Sequence, residues 1–217
     1  MEHRRLGRTG LRVSSVGLGT MTWGRDTDEL EAKEQLDIFL DAGGTLVDTA
    51  ASYGEGVSEE VIGTLLREHV DRQDLVLVSK AGVRTWRTGE RSSVADASRG
   101  SLLDTLDTSL ARLGTDHLDL LLVQVPDPST SLEETAHALS LAVSSGRTRY
   151  VGIANHPAWA SVRMHDLLSE CGRGPGLAAV EVAHSLLSRG IERELRPASQ
   201  ALGFGILGYA PLGRGVL

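Results

Sequence analysis

An α/β fold built on a parallel sheet is predicted by three features of the sequence. Short apolar runs alternate with longer stretches whose apolar residues recur at helical spacing, and glycines close most of those stretches. Asp48, Lys80, Gln124, Asn155 and Glu181 each stand at or just past the end of an apolar run. Alternating strands and helices require a parallel sheet, doubly wound or closed as a barrel, and periodicity alone does not choose between them. The polar residues favour a barrel, which gathers the carboxyl ends of its strands into one ring.

Each element has a local reason. Residues 4–13 alternate around Gly7, Arg8, Thr9 and Gly10, which predicts a hairpin ahead of the main fold. Residues 15–20 read as the first main strand, leaving through GLGTMTWG, where glycines permit close backbone approach and Trp23 offers an apolar wall. That exit lacks the full glycine pattern of a Rossmann phosphate loop. Ala32, Leu36, Phe39 and Leu40 mark a helix over 28–42, stopped by Gly43 and Gly44 before a strand over 45–48. Ser58, with Glu59 and Glu60, is expected to open the next helix, whose buried face is Ile62, Leu65 and Leu66, and a strand over 75–79 follows.

After a polar loop over 81–97, Leu102, Leu106, Leu110 and Leu113 mark a helix closed by Gly114, and 118–123 is the fourth strand. Ser131 caps a helix carrying Leu132, Ala136, Leu139 and Val143, ended by Gly146 before a strand over 150–153. Pro157 suits the first turn of a helix through Leu168, and a loop over 172–176 leads to a strand over 178–182. Pro197 lies near the start of one more helix, Gly203 ends it, and 204–209 is the seventh strand.

A chain of 217 residues, 41% hydrophobic and without a linker-like stretch, is expected to form one domain over 1–217. The net charge of −7 and the absence of a basic cluster argue against a nucleic-acid partner and point to a small molecule. Cys171 is the single cysteine, which excludes a disulfide within the chain. MEHRRLGRTG lacks the apolar core of a secretory signal, and no run reaches the roughly 20 apolar residues of a membrane span, so a cytoplasmic protein is expected.

Chemistry is expected in LVDTAASYGEGVSEE, residues 46–60, which carries a carboxylate, a phenol and flexible glycines out of one strand. Lys80 ends the next run in the position that Asp48 holds in its own. A phenol with an ordinary pKa of about 10 is a weak acid at neutral pH, and a neighbouring ammonium stabilises its phenolate. From these three residues alone, a surface Tyr53 and an Asp48–Lys80 ion pair remain the alternative. The histidines show no paired spacing that makes a metal site, and none is expected.

DTAASYGEGVSEEVIG, VSKAG, SLARLGTDHLDLLLV, PDP, GRTRYVGIAN and YAPLGRGVL, in this order, resemble the aldo-keto reductase family, NADPH-dependent carbonyl reductases on a (β/α)8 TIM barrel. The resemblance runs the length of the chain. It implies a barrel floor plugged by the amino-terminal hairpin, an NADPH/NADP+ cofactor, a small carbonyl substrate and a tetrad of Asp, Tyr, Lys and His. Asp48, Tyr53 and Lys80 match that tetrad, while Gln124 stands in place of the His. The implied roles are proton donation to the carbonyl oxygen by Tyr53, lowering of its pKa by Lys80, and pairing of Asp48 with Lys80. Gln124 can donate an amide hydrogen but cannot titrate near neutrality.

On the cofactor side the resemblance implies Gly19, Thr20, Met21, Asp48, Asn155, Glu181, His184, Tyr209, Pro211 and Leu212. Asn155 matches the carboxamide-binding Asn, with Ala154 beside it where the family has Ser. Glu181 stands for a usual Gln, and His184 for the Tyr that stacks on the nicotinamide. Tyr209, Pro211 and Leu212 match the pyrophosphate segment. Trp23, Tyr53 and Trp86 are expected to line the substrate pocket. Against the family's eight strands and eight helices, the last helix, strand and helix are missing, including the clamp on the 2′-phosphate. An open edge beside the first and seventh strands is expected to need a cover, such as a second copy of the chain, unless the chain is a fragment.

Two functions follow. One is an oxidoreductase that reduces an aldehyde or ketone with NADPH and Tyr53 as general acid. The other is a relative that binds a nucleotide or small ligand with little or no redox turnover, or a non-redox acid–base enzyme at the same pocket.

Overall fold

The inner and outer faces of the sheet follow from the two-residue period of its strands. The computed structural model describes residues 1–86, 92–171 and 176–217. A hairpin of β1 (His3–Arg5) and β2 (Arg12–Ser14) comes first, then β3 (Gly17–Gly19), α1 (Glu29–Asp41), β4 (Leu46–Asp48), a 3₁₀ turn at Tyr53–Gly56, α2 (Val57–Glu68) and β5 (Val76–Ala81). Next are β6 (Val83–Trp86), β7 (Ser92–Ala95), α3 (Arg99–Leu113), β8 (Leu118–Val123), α4 (Leu132–Ser144) and β9 (Thr148–Ala154). α5 (Ala158–Glu170), β10 (Ala179–Ala183), α6 (Leu195–Leu202) and β11 (Gly205–Tyr209) follow.

β3, β4, β5, β8, β9, β10 and β11 pair side by side, every pair parallel. With the crossover helices they make an incomplete (β/α)8 barrel, a curled sheet whose two ends, β3 and β11, are not paired to each other. Inward-facing Leu46, Val78, Leu120, Leu122 and Ala179 pack on Leu6, Leu11 and Val13 of the hairpin, which fills the floor. The alternate residues, among them Val47, Leu77, Leu121, Val123, Ile153 and Val180, join the helix residues Leu36, Ile62, Leu65, Leu106, Leu139 and Met164 in a larger outer core. Each such side chain contributes about 1.5–3 kcal/mol by leaving water.

Helix ends are set by short-range chemistry. Asp28 and Glu31 form a capping box at α1, Ser98 and Ser131 accept from the first turns of α3 and α4, and Gly114 ends α3 in the left-handed region. Gly7, at φ +59, lets the hairpin approach β11: Arg8 N donates to Gly203 O at 2.7 Å, and a Cβ on Gly7 would lie 2.3 Å from that same oxygen.

Two local expectations are corrected. The stretch 81–97 is not a loop throughout, because β6 and β7 form an antiparallel hairpin in it. Ser58 does not cap α2, which begins at Val57 behind Gly56; its buried hydroxyl meets those of Thr20 (2.8 Å) and Thr49 (3.0 Å) and donates to Thr20 O (2.9 Å), pinning β3 and β4 to the helix. Among the described residues no helix is long and apolar enough to cross a membrane.

Between the β3 and β11 edges lies a cavity of about 640 Å³, bounded below by the hairpin residues Arg4–Gly7, with Asp48 and Glu181 in its wall.

Candidate active site

Asp48, Lys80 and Glu181 each stand two residues beyond an inward-facing apolar residue of the same strand: Leu46, Val78 and Ala179. The pleat therefore turns all three into the barrel, Asp48 and Lys80 near the carboxyl ends of β4 and β5 and Glu181, against the expectation of a strand end, at the middle of β10. The Lys80 side chain is 2% exposed. Its ammonium donates to Asp48 Oδ1 at 2.5 Å and to Thr49 O at 3.1 Å, and lies 3.5 Å from the Tyr53 hydroxyl and 3.3 Å from Glu181 Oε2. Tyr53 reaches this point because the chain, on leaving β4, turns through the 3₁₀ segment, and Lys80 Nζ then sits 5.2 Å from the ring centroid.

The approach to Glu181 is an ion contact without hydrogen-bond alignment. Glu181 Oε2 and Asp48 Oδ2 are both buried and have no hydrogen-bonding partner among the described residues. Burial pushes the Glu181 carboxyl up to about 8, reinforced by the facing charge of Asp48 and opposed by Lys80. For Lys80, burial works against the charge, but the carboxylates of Asp48 and Glu181 outweigh it and hold the ammonium above the ordinary lysine range. For Tyr53, burial raises the phenol, Lys80 pulls it down as expected, Asp48 and Glu181 push it back up, and the net direction is upward.

A second layer of hydrogen bonds joins the strand exits. The Ser52 hydroxyl donates to Gln124 Oε1 at 2.9 Å, Asn155 Nδ2 donates to the Gln124 carbonyl at 2.9 Å, and the Tyr209 hydroxyl donates to Asn155 Oδ1 at 2.8 Å. Gln124 N donates to Ala81 O at 2.8 Å, which holds the β8 exit against β5. Asn155 adopts φ +62, a left-handed conformation that Asn tolerates, and so offers its side chain to both neighbours. Among the described residues the amide nitrogen of Gln124 has no partner. Ser52 and the Tyr209–Asn155 bond escaped the sequence reading; the only hint of Ser52 is its place beside Tyr53 in the same loop.

The remaining expected residues divide. Gly19 lines the cavity with Asp48, Glu181, Tyr209 and Pro211. Met21 and Leu212 are exposed. The Thr20 hydroxyl is taken up by Asp48 O and Ser58. His184 turns to Glu192, 3.3 Å away. Trp23 is fully buried in the outer core and donates to Gln35 Oε1 at 2.9 Å, so it presents no surface to a substrate, contrary to expectation. The side chain of Trp86, the other expected pocket wall, lies outside the described part of the structure.

The model of the aldo/keto reductase family matches residues 15–217. The chain is 34% identical to the uncharacterized oxidoreductase YrpG of Bacillus subtilis, over 100% of this chain and 68% of that protein. It is 32% identical to the aldo-keto reductase YhdN of the same organism, over 100% of this chain and 64% of that one. It is also 35% identical to norsolorinic acid reductase stcV of Emericella nidulans, over 95% of this chain and 56% of that one. The chain thus spans between about half and two thirds of the length of these relatives. A family match over nearly every residue, on a parallel barrel whose buried lysine joins Asp48 and Tyr53, makes this chain a member of the aldo/keto reductase family.

Proposed function

We propose that the chain reduces an aldehyde or ketone to an alcohol, with NADPH as reductant and Tyr53 as general acid. The observation that carries this reading is the Lys80 ammonium, held by Asp48 at 2.5 Å and standing 3.5 Å from the Tyr53 hydroxyl. The residues present fit the nicotinamide end of such a cofactor. The Gln124 amide nitrogen and the buried Glu181 Oε2 are polar atoms without partners among the described residues, the Asn155 amide is bonded to the Gln124 carbonyl, and Glu181, with Asp48 and Tyr209, lines the cavity of about 640 Å³, which falls in the size range of ligand sites.

When bound, such a cofactor would supply the hydride to the carbonyl carbon. Tyr53 O–H supplies the proton that the carbonyl oxygen takes up, and the Lys80 charge steadies the phenolate left behind. Asp48 keeps the lysine charged and fixed, and in this reading the Gln124 amide, whose oxygen accepts from Ser52, donates to the same carbonyl oxygen. The test is a titration of the pure protein with NADPH, followed by cofactor fluorescence. Saturable enhancement supports the reading, and a flat response removes it.

A second reading, a ligand binder with little turnover, is favoured by one observation. The Asn155 side chain is already bonded at both ends, to Gln124 and to Tyr209, so it must let go of one before it can hold a carboxamide. As partners we propose a small carbonyl compound and a second copy of the chain over the β3 and β11 edges, which a solution mass twice that of one chain would support and a monomer would refute.

A further inference from the structure

Four groups crowd one buried point, and their charges do not balance if both acids are ionised. Lys80 brings one positive charge, Asp48 and Glu181 bring two negative ones, and Tyr53 is neutral. Glu181 is 6% exposed, so its carboxylate has almost no water to offset the excess. Among the described residues the oxygens left without a hydrogen-bonding partner include one from each acid, Asp48 Oδ2 and Glu181 Oε2. A single proton between the two carboxyls would satisfy both oxygens and bring the cluster to neutrality, as in other sites where two acids share a proton.

We propose that Glu181 carries this proton at neutral pH, sharing it with Asp48, and that the neutral Glu181 is a positioning residue which reserves the Lys80 charge for the Tyr53 phenol. The shared proton follows from the two buried oxygens, the excess negative charge and the contact of both acids with Lys80; its consequence for catalysis rests on the function proposed above. An ionised Glu181, 3.3 Å from the ammonium, would cancel the attraction that Lys80 exerts on a phenolate. A neutral one leaves Lys80 with Asp48 as its single counter-charge. The upward push on the Glu181 carboxyl, to about 8, agrees in direction.

The groups facing Glu181 are Asp48 from β4, Tyr53 from the turn that follows, and Lys80 from β5. Tyr209 of β11 is engaged by Asn155, and Arg4 and Arg5 line the same cavity without coming within ion-pairing distance of Glu181.

Infrared spectroscopy of the pure protein tests the proposal. At neutral pH the wild type should show the carbonyl stretch of a protonated carboxyl that bleaches as pH passes about 8. Glu181→Gln should lack this band, while Glu181→Asp should keep one. The Tyr53 phenol, isolated by ultraviolet difference against Tyr53→Phe, should titrate about one pH unit lower in Glu181→Gln than in the wild type, because the amide never becomes a second carboxylate. A wild type without the band at neutral pH overturns the proposal even if no variant folds. So does a band that survives in Glu181→Gln, or a phenol that titrates alike in both proteins. A chain that fails to turn over a carbonyl leaves these spectra intact, so failure of the redox reading and failure of the shared proton are told apart.

Discussion

Lys80 Nζ stands 3.5 Å from the Tyr53 hydroxyl, and the same ammonium donates to Asp48 Oδ1 at 2.5 Å. Three groups from β4, the turn after it and β5 thus meet at one buried cation. Replacing that cation as Lys80→Met should push the Tyr53 phenol still further above its ordinary range, since Lys80 is the strongest of the influences that lower it. Ultraviolet titration checks this, and a phenol that stays where it is in the wild type would show the 3.5 Å contact to be electrostatically idle.

Stability should depend on pH through Glu181. Burial pushes its carboxyl in the folded chain up to about 8 from the ordinary glutamate value of 4.5, so between these the folded chain keeps a proton that the unfolded chain has released. The contribution is fully present below about 4.5 and is lost as pH rises through about 8. One proton limits the slope to about 1.4 kcal/mol per pH unit. Urea unfolding across that window should show Glu181→Gln gaining on the wild type as pH rises; a gap that does not change with pH would sink the assignment.

Gln124 is expected to act as a hydrogen-bond donor rather than a titrating group. Gln124→Ala should lower kcat by about 10²–10³-fold, the loss typical of one oriented donor to a developing oxyanion, while Gln124→His should keep or raise activity. Equal rates in the alanine variant and the wild type would remove Gln124 from the site.

The bond from Tyr209 to Asn155 should compete with cofactor binding. Tyr209→Phe frees Asn155 Oδ1, and if a neutral hydrogen bond contributes about 1 kcal/mol, NADPH should bind about fivefold more tightly. Calorimetry decides it, and weaker binding in the variant would mean that Tyr209 itself holds the cofactor.

Much of this arrangement was legible in the sequence, for identifiable reasons. The fourth main strand, 118–123, was read residue for residue because Gly114 closes the helix before it and its six residues run apolar with one interruption. Asp48 and Lys80 stand at or next to strand ends as the apolar runs before them indicate, whereas Glu181 lies at the middle of β10 because that strand runs on to Ala183. Their meeting was harder to see: Glu181 reaches Lys80 from a strand three places along the sheet, which depends on stagger and curl. The hairpin of β6 and β7 was hidden because it pairs only with itself, and Val94, for one, stays exposed, so burial imposes no pattern on it. Trp23 was misplaced for another reason: an aromatic in a glycine-rich exit looks the same in sequence whether it turns to the core or to the cleft.

The central claim, that this cluster reduces carbonyl groups through Tyr53, is tested most directly by following NADPH consumption with a panel of aldehydes and ketones, wild type against Tyr53→Phe. The account predicts consumption matched by alcohol formation in the wild type and no rate above background in the variant. A rate that survives Tyr53→Phe would contradict the proton donor, and no consumption with any substrate by a protein that binds NADPH would contradict the reductase itself.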